Sequence, residues 1–261
     1  MWEKELNAMI EAGLLAREKI LEIYKLDFEV EIKEDASPVT LADKTADMMI
    51  SSYLKERFPN YAFLTEESED DASRLTNDFV FIVDPVDGTK DFVAKNDEFA
   101  TNIALAYKHE VVVGVIIIPA TKDVYYAVKG EGAYHKYPDG RIIRIHVNDK
   151  EDDLTLFTSR FHSTDFEKNL PTLDPRIKYV KTRGSSIKAC HIAEGLGELH
   201  YRTSNGTKEW DIAPLDLLIH EAGGVFIKPD GTRYTYNRED VYNRDGYIVA
   251  NKLENIKVKK A

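Results

Sequence analysis

Asp84-Pro85-Val86-Asp87-Gly88-Thr89 follows directly on the apolar run Phe79-Val80-Phe81-Ile82-Val83 in this chain of 261 residues. The run is rich in β-branched and aromatic residues and is closed by turn-forming residues, which predicts a buried strand followed by a turn. The turn carries two carboxylates, and Gly88 removes a side chain where a ligand could approach the backbone. Carboxylate oxygens suit Mg²⁺, so the segment predicts metal-dependent phosphate chemistry. An ordinary Asp-Pro turn explains these residues equally well when they are taken alone.

The composition is typical of an acidic globular protein. Hydrophobic residues make up 43% of the chain, and the net charge is −11 at pH 7. This charge disfavours binding to nucleic-acid polymers, whereas bound divalent cations would still admit a small phosphorylated substrate. No apolar stretch approaches the roughly 18 residues of a membrane span, and the first residues do not form a signal peptide. Cys190 is the single cysteine, and we expect it to be an inert core residue of a cytoplasmic protein. We expect no membrane partner and either a monomer or a homodimer.

Hydrophobic periodicity predicts two halves, residues 1–150 and 151–261, in one compact unit. In the first half we expect helices on a largely antiparallel sheet: helices 4–24 and 41–58, strands 62–65, 79–84, 100–107, 111–119, 124–129 and 141–146, and a turn at 130–132. In the second half strands and helices alternate: strands 154–158, 177–181, 197–202, 224–228 and 246–250, and helices 164–170, 185–195 and 212–222. The pattern predicts an α/β fold, with an α+β first half and an α/β second half.

Two further acidic segments lie at the ends of predicted elements. In Leu64-Thr65-Glu66-Glu67-Ser68 an acidic pair ends a short apolar strand, although a solvated acidic loop is the simpler interpretation. Trp210-Asp211-Ile212-Ala213-Pro214 opens a helix, with Asp211 as the N-cap and the proline in the first turn. A helix N-terminus that carries a carboxylate can also face a metal ion, so the two interpretations of Asp211 are compatible.

Two more segments resemble helix starts. Ser37-Pro38-Val39-Thr40-Leu41-Ala42-Asp43 contains a capping box in which Thr40 and Asp43 cap the following helix. Gly184-Ser185-Ser186-Ile187-Lys188-Ala189-Cys190 reads as a loop with a serine N-cap before an apolar helix. Each segment alone therefore has a purely structural explanation.

Taken in order, four of these segments resemble the inositol monophosphatase-like superfamily of Mg²⁺-dependent, lithium-sensitive phosphatases. The matching segments begin at Ser37, Glu66, Asp84 and Trp210, and the resemblance runs from about Lys33 to Asn251. The family implies a layered αβαβα sandwich. Within it the chain is most similar to the 3′(2′),5′-bisphosphate nucleotidase (CysQ) branch, on three features: Asp87–Phe92, Asn96–Leu105 and Gly184–Cys190.

The resemblance implies a binding site for two or three Mg²⁺ ions. Glu66, Asp84 and the carbonyl oxygen of Val86 would hold one ion, and Asp84 would bridge to a second ion held by Asp87 and Asp211. In a two-metal arrangement one ion generates hydroxide from bound water and the other stabilises the leaving oxygen.

The resemblance also assigns catalytic and substrate-binding roles. Thr89 would orient the attacking water, and Asp43 would accept the hydrogen bond of the threonine hydroxyl. The third catalytic residue that the resemblance implies is Glu66. The amides of Gly88 and Thr89 would cradle the phosphate. The residues expected to bind the rest of the substrate are Lys90, Ser185, Ser186 and Lys188.

The implied function is hydrolysis of 3′-phosphoadenosine 5′-phosphate to AMP and phosphate. An inositol monophosphatase or a sugar-phosphate (fructose 1,6-bisphosphate) phosphatase is the alternative, and a non-catalytic phosphometabolite-binding protein is an alternative of a different class. The family often has a Pro-Thr pair where this chain has Asn205-Gly206-Thr207-Lys208-Glu209. This loop is expected to border the leaving-group pocket, so the departure bears on the substrate rather than on the metal ligands.

Overall fold

The computed structural model describes residues 1–26, 29–32 and 38–258, so Ser37 of the capping segment lies outside the described residues. Its helices are α1 (Glu3–Tyr24), α2 (Leu41–Arg57), α3 (Thr89–Val93), α4 (Asp165–Leu173), α5 (Ile187–Ala193) and α6 (Glu209–Glu221). Its strands are β1 (Val30–Ile32), β2 (Pro38–Thr40), β3 (Ala62–Thr65), β4 (Phe79–Asp87), β5 (Ala100–Tyr107), β6 (Glu110–Ile118), β7 (Asp123–Val128), β8 (Gly132–Lys136), β9 (Ile142–Ile145), β10 (Leu154–Ser159), β11 (Ile177–Arg183), β12 (Leu199–Arg202), β13 (Val225–Ile227) and β14 (Tyr247–Ala250).

A seven-stranded sheet forms the centre of the first half, with its strands in the order β3-β4-β5-β6-β7-β8-β9. β3 pairs with β4 in parallel, and every other pair is antiparallel. The middle strands are buried on both faces, which explains why they read as continuous apolar runs rather than as alternating patterns. The largely antiparallel sheet expected for this half is confirmed.

A five-stranded mixed sheet forms the second half, in the order β11-β10-β12-β14-β13. β10 runs parallel to β11 and β12, whereas β14 is antiparallel to both of its neighbours. Alternate residues face opposite sides: Phe157 joins the apolar cluster around α5 and α6, and Leu156 joins the one that includes Leu170 of α4. Both faces of the middle of this sheet are therefore covered, whereas the edge strand β11 is largely exposed.

The sheets and helices stack in five layers. α1 and α2 pack on one face of the seven-stranded sheet, where Met9, Ile20 and Ile50 are fully buried. On the other face α5 and α6 lie between the two sheets, with Cys190 and Leu218 in the shared apolar cluster. α4 covers the outer face of the second sheet. The predicted αβαβα sandwich and the buried position of Cys190 are confirmed.

The structure corrects several predicted boundaries. The segment from Asp84 to Asp87 is a continuation of β4, in which the ladder with β5 shifts register, rather than a turn. A strand at 132–136, which follows the predicted turn at 130–132, was missed because its short sequence contains a glycine and the polar His135. That histidine is buried, and both of its ring nitrogens contact carboxylates, those of Asp123 and Glu194. Local sequence patterns do not reveal these tertiary contacts. Within the described ranges, none of the helices combines the length and apolarity needed to cross a membrane.

Candidate active site

One cleft gathers the predicted residues from both halves of the chain. Its walls come from the ends of β3 and β4, the start of α3, the loop before α5 and the start of α6. Among the residues that line its roughly 1040 Å³ of open space are Glu66, Asp84, Val86, Asp87, Gly88, Thr89, Lys90, Ser185, Ser186, Lys188 and Asp211. Asp43 lies behind this wall and reaches the cleft through Thr89. Eleven of the twelve predicted site residues therefore line the cleft, and the twelfth, Asp43, lies beside them.

Three carboxylates form the core of the acidic wall. Oxygen atoms of Asp84, Asp87 and Asp211 all lie within 4.8 Å of one another. Asp84 lies in the buried part of β4 and is 1% exposed, and its Oδ1 accepts a hydrogen bond from Val86 N at 3.1 Å. A set of hard oxygen donors at this spacing is the chemistry that Mg²⁺ binds in proteins, so the residues fit the metal that the resemblance implies.

Burial and mutual repulsion raise the pKa values of these carboxyls. Burial, followed by the charge of Glu66, raises the pKa of Asp211 to about 8. The same two causes raise the pKa of Asp84 well above its ordinary range, with Asp87 adding to the repulsion. Like charges in a buried site favour protonation or a bound cation. The cluster is therefore costly for the chain to keep ionised without a counter-ion.

A buried amide beside the cluster lacks a protein partner. Asn102 is fully buried and lies opposite Asp84 in the ladder between β4 and β5. Within the described part of the chain, neither its amide nitrogen nor its amide oxygen has a hydrogen-bond partner. Unpaired buried polar groups are rare and call for an explanation such as water or a ligand. The segment Asn96–Leu105 had been noted in the sequence for its resemblance, but Asn102 itself was not predicted as a site residue.

Asp43 and Thr89 form a hydrogen-bonded pair across two helix starts. Thr40 caps α2 and Asp43 bonds back to the Thr40 backbone, so the predicted capping box is confirmed. The other oxygen of Asp43 accepts a hydrogen bond from Thr89 Oγ1 at 3.1 Å. Burial raises the pKa of Asp43, and hydrogen bonds from Thr40 and Thr89 oppose this effect. The capping carboxylate therefore also orients the threonine at the edge of the cleft.

Gly88 allows the two halves to approach each other. Its φ of +91° is in the left-handed region, which disfavours residues with a side chain. A Cβ atom at this position would lie 3.0 Å from the Cβ of Ser185. Glycine is thus required both for the local backbone and for the close contact with the loop before α5.

The loop before α5 contacts the acidic wall directly. Ser186 N and Ser186 Oγ both donate to Asp87 Oδ2, at 2.7 and 2.5 Å. Ser186 occupies the N-cap position of α5, but its side chain makes no capping bond, and α5 begins at Ile187 rather than at 185. The serine that was predicted to bind substrate therefore orients a carboxylate in this structure.

A basic wall faces the carboxylates from the second half. Lys188 is 7% exposed, and its Nζ donates to the carbonyl oxygen of Ser185 at 2.5 Å. Burial lowers the pKa of Lys188 to about 8, and the charge of Asp87 opposes this shift. Burial and the charge of Lys188 also hold the pKa of His200 well below its usual range, so this imidazole is neutral at pH 7.

Sequence reasoning missed several residues of the cleft. Arg202 ends β12 and donates to the carbonyl oxygen of His162 at 3.2 Å; Trp210 and Tyr247 line the same space. No local motif marks Arg202, because its position depends on the pairing of β12 with β10 and β14. The loop at 205–209 was expected to border the leaving-group pocket, and Gly206, Thr207 and Lys208 do line the cleft.

Asp211 occupies a different helix position from the one predicted. Lys208 is the N-cap residue of α6, and Asp211 is the third residue of the helix. Its Oδ2 accepts a hydrogen bond from Lys208 N at 2.5 Å, so the carboxylate still satisfies a backbone donor of the helix start. Because α6 begins at Glu209 rather than at 212, Pro214 lies inside the helix and not in its first turn.

Comparison with known proteins identifies the family of the chain. The model of the inositol monophosphatase family matches residues 1–260. The chain is 29% identical to the 3′(2′),5′-bisphosphate nucleotidase CysQ of Aggregatibacter actinomycetemcomitans, covering 94% of this chain and 91% of that protein. It is also 29% identical to human inositol monophosphatase 2, covering 88% of this chain and 82% of the relative.

The solved structures include a similar one from the same family. The crystal structure of CysQ from Bacteroides thetaiotaomicron superimposes with a TM-score of 0.83 at 34% identity, covering 96% of this chain and 98% of that one. The resemblance inferred from the sequence motifs is thereby confirmed. The chain belongs to the inositol monophosphatase family and is a metal-dependent phosphatase.

Proposed function

We propose that the protein is a Mg²⁺-dependent 3′(2′),5′-bisphosphate nucleotidase that converts 3′-phosphoadenosine 5′-phosphate to AMP and phosphate. The observation that carries the proposal is the cleft with two opposed walls. Asp84, Asp87 and Asp211 form the acidic wall, while Lys188 and Arg202 lie on the basic wall. A substrate with two phosphates suits this arrangement, because one phosphate would meet the metal and the other would meet the lysine and arginine. The similarity to CysQ proteins supports the same substrate.

The metal ligands we propose are Glu66, Asp84, the carbonyl oxygen of Val86, Asp87 and Asp211. All five offer oxygen atoms and line the cleft. We propose that Mg²⁺ is the native ion and that two or three ions bind during turnover. Bound Mg²⁺ would supply Lewis-acid chemistry and neutralise charge on the phosphate. The side chains would position the attacking water and bind the rest of the substrate.

Thr89 and Asp43 are proposed to position the attacking water. The hydroxyl of Thr89 donates to Asp43, so its oxygen can accept a hydrogen bond from water. Asp43 is 1% exposed and can then take a proton through the threonine. Glu66, which also lines the cleft, is proposed as the third catalytic residue. We also keep the proposal that the amides of Gly88 and Thr89 bind the phosphate oxygens, since Gly88 turns the chain into α3.

Substrate contacts in the second half are proposed at Ser185 and Lys188, with Lys90 at the cleft edge. Within the described residues, Ser185 Oγ is buried and has no hydrogen-bond partner, which leaves it available to a ligand. Ser186 is proposed to bind substrate only indirectly, because its hydroxyl donates to Asp87. Both lysines carry a charge suited to a phosphate that does not react, and Lys188 is the buried one.

An inositol monophosphatase remains the second candidate, because human inositol monophosphatase 2 is as similar as the first CysQ relative. The basic wall favours the bisphosphate nucleotidase. The division at residue 150, the cytoplasmic location and the choice between monomer and homodimer stay predictions. The division in particular is not clean in space, since α6 packs on strands β4 to β8 of the first half.

The test compares kcat/KM for 3′-phosphoadenosine 5′-phosphate, inositol 1-phosphate and fructose 1,6-bisphosphate in Mg²⁺ and in EDTA. We expect phosphate release only in Mg²⁺, with the bisphosphate nucleotide preferred by about tenfold or more, which corresponds to one charge-assisted contact. A preference of that size for inositol 1-phosphate would establish the second candidate instead. Absence of release from all three substrates would favour a non-catalytic binding protein.

A further inference from the structure

A buried arginine links two loops that lie far apart in the chain. Arg74 is 1% exposed, and its Nε and Nη2 donate to the two oxygens of Asp70 at 2.6 and 2.8 Å. Its Nη1 donates to Asn237 Oδ1 at 2.8 Å and to the carbonyl oxygen of Arg238 at 3.0 Å. Asn237 returns a hydrogen bond from its amide to the carbonyl oxygen of Arg74 at 2.8 Å. The guanidinium thus fixes the loop after β3 to the segment before β14.

A buried glutamate continues this connection into α6. Glu209 is the first residue of the helix and is 0% exposed. Its two oxygens accept hydrogen bonds from the backbone amides of Asn237 and Arg238, at 2.7 and 2.8 Å. The side chain of Arg238 adds an ion pair at 3.1 Å. Arg74 and Glu209 therefore both bond to Asn237 and Arg238.

The ends of this network lie beside two proposed metal ligands on opposite halves of the protein. Asp70 follows Glu66 by four residues, and Glu209 precedes Asp211 by two. We propose that Arg74 and Glu209 are positioning residues that hold Glu66 and Asp211 at the separation at which both can bind metal. The inference rests on the metal site under the proposed function.

The loop that carries Glu66 is irregular and needs contacts outside the sheet to hold its position. Glu66 stands just after β3, where its backbone N–H still donates to the carbonyl oxygen of Val83 at 3.1 Å, and the residues that follow it lie outside any strand. The near part of that loop is anchored by Ser68, which bonds Asp47 and Thr65. The Arg74 network connects the far part of this loop to the start of α6 through charge-assisted hydrogen bonds, so displacing either segment would strain these bonds.

The chain offers a matched control for the arginine. Arg176 also binds both oxygens of an aspartate, Asp174, and donates to Asn255 Oδ1 and to a backbone carbonyl. It lies in the loop between α4 and β11 and bonds this loop to Glu151 and Asn255, and none of these residues lines the cleft. Arg74→Met and Arg176→Met therefore remove similar sets of hydrogen bonds, although Arg74 is the more buried of the two, and only Arg74 lies in a loop that carries a proposed metal ligand.

The experiment is calorimetric titration of Mn²⁺ into substrate-free full-length protein, for the wild type, Arg74→Met, Glu209→Gln and Arg176→Met. Melting temperatures are recorded alongside. We expect Arg74→Met and Glu209→Gln to weaken Mn²⁺ binding by about tenfold, the usual effect of losing a residue that supports a metal ligand, and Arg176→Met to bind as the wild type does. If Arg74→Met does not fold, Asp70→Asn breaks the same contact from its more exposed partner.

Two outcomes would overturn the inference separately from the proposed function. The first is that Glu209→Gln and a folded variant of the arginine contact, either Arg74→Met or Asp70→Asn, bind Mn²⁺ with the affinity of the wild type. The network would then stabilise the fold without any effect on metal binding. An equal loss of affinity in Arg176→Met would have the same meaning, because general destabilisation would then explain the loss. If the wild type binds no Mn²⁺, both the proposed metal site and this inference are wrong.

Discussion

Replacing Asp211 with asparagine separates its metal-binding role from its role in capping α6. The variant keeps the shape of the side chain and an oxygen that can accept the hydrogen bond from Lys208 N. It removes one negative charge from a cluster in which burial and the charge of Glu66 raise the pKa of Asp211 to about 8. We therefore expect Asp211→Asn to stabilise the metal-free protein while abolishing its activity.

The size of the stabilisation follows from the titration of the carboxyl. In the unfolded chain it loses its proton near pH 4, whereas in the folded chain it keeps the proton up to about pH 8. Between these values the unfolded state binds fewer protons, so this group lowers stability as the pH rises. Each pH unit between about 4 and 7 lowers the free energy of unfolding by about 1.4 kcal/mol. Over these roughly three units the carboxyl therefore destabilises the folded state at pH 7 by at most about 4 kcal/mol.

Neighbouring carboxylates reduce this figure, because Asp84 and Asp87 still repel each other in the variant. We expect a gain of about 2 kcal/mol, which raises the melting temperature of a chain of this size by about 4 to 8 °C. The gain should shrink as the pH is lowered from 7 to 4, where the wild-type carboxyl already carries its proton in both states.

The assay is thermal unfolding in EDTA and in Mg²⁺, with Asp216→Asn as the matched control. Asp216 lies on the same helix, is 3% exposed and accepts a hydrogen bond from Tyr236 at 2.7 Å, away from the carboxylate cluster. The control should lose stability in EDTA, whereas Asp211→Asn should gain it and lose the stabilisation by Mg²⁺ that ligand binding confers. If both variants lose stability equally in EDTA, the Asp211 carboxyl stabilises the metal-free protein and the reasoning about repulsion is wrong.

Three further variants test other parts of the cleft. Asp43→Asn should lower kcat by roughly 10²- to 10⁴-fold, as expected for loss of a general base, with little change in KM; an unchanged kcat in steady-state assays would contradict its role beside Thr89. Lys188→Met should raise KM for the bisphosphate nucleotide by about 10- to 100-fold but leave KM for inositol 1-phosphate unchanged. Since the pKa of Lys188 is about 8, the wild-type KM should rise as the pH passes 8 and the ammonium loses its charge, and a pH-independent KM would count against it. Gly88→Ala should lower both the melting temperature and kcat, because φ is +91° there and the new methyl group would press on Ser185; wild-type values of both would show that the loop gives way.

Local sequence signals predicted those parts of the fold whose cause is local. The run Phe79–Val83 forms a buried strand because its β-branched and aromatic side chains pack on both faces of the sheet. The capping box of Thr40 and Asp43 was readable because both partners lie within one helical turn. The presence of the carboxylates in one cleft followed from the resemblance, and the structure brings them together as expected.

The remaining features depend on contacts between distant segments. The bonds from Ser186 to Asp87 span 99 residues, so no local pattern marks that serine as a support for a carboxylate. The strand at 132–136 exists because its neighbours on both sides pair with it. No local pattern marks Arg74 as buried, because its guanidinium bonds Asn237, which lies 163 residues away.

The central claim is that carboxylates from both halves of the chain form one metal site. The most direct test is the anomalous scattering of Mn²⁺ in a crystal of the wild-type protein. We predict peaks within about 2.3 Å of carboxylate oxygens of Asp84, Asp87 and Asp211, with a further contact to Glu66. Crystals that bind Mn²⁺ elsewhere, or that leave these oxygens without a peak at saturating metal, would contradict the account.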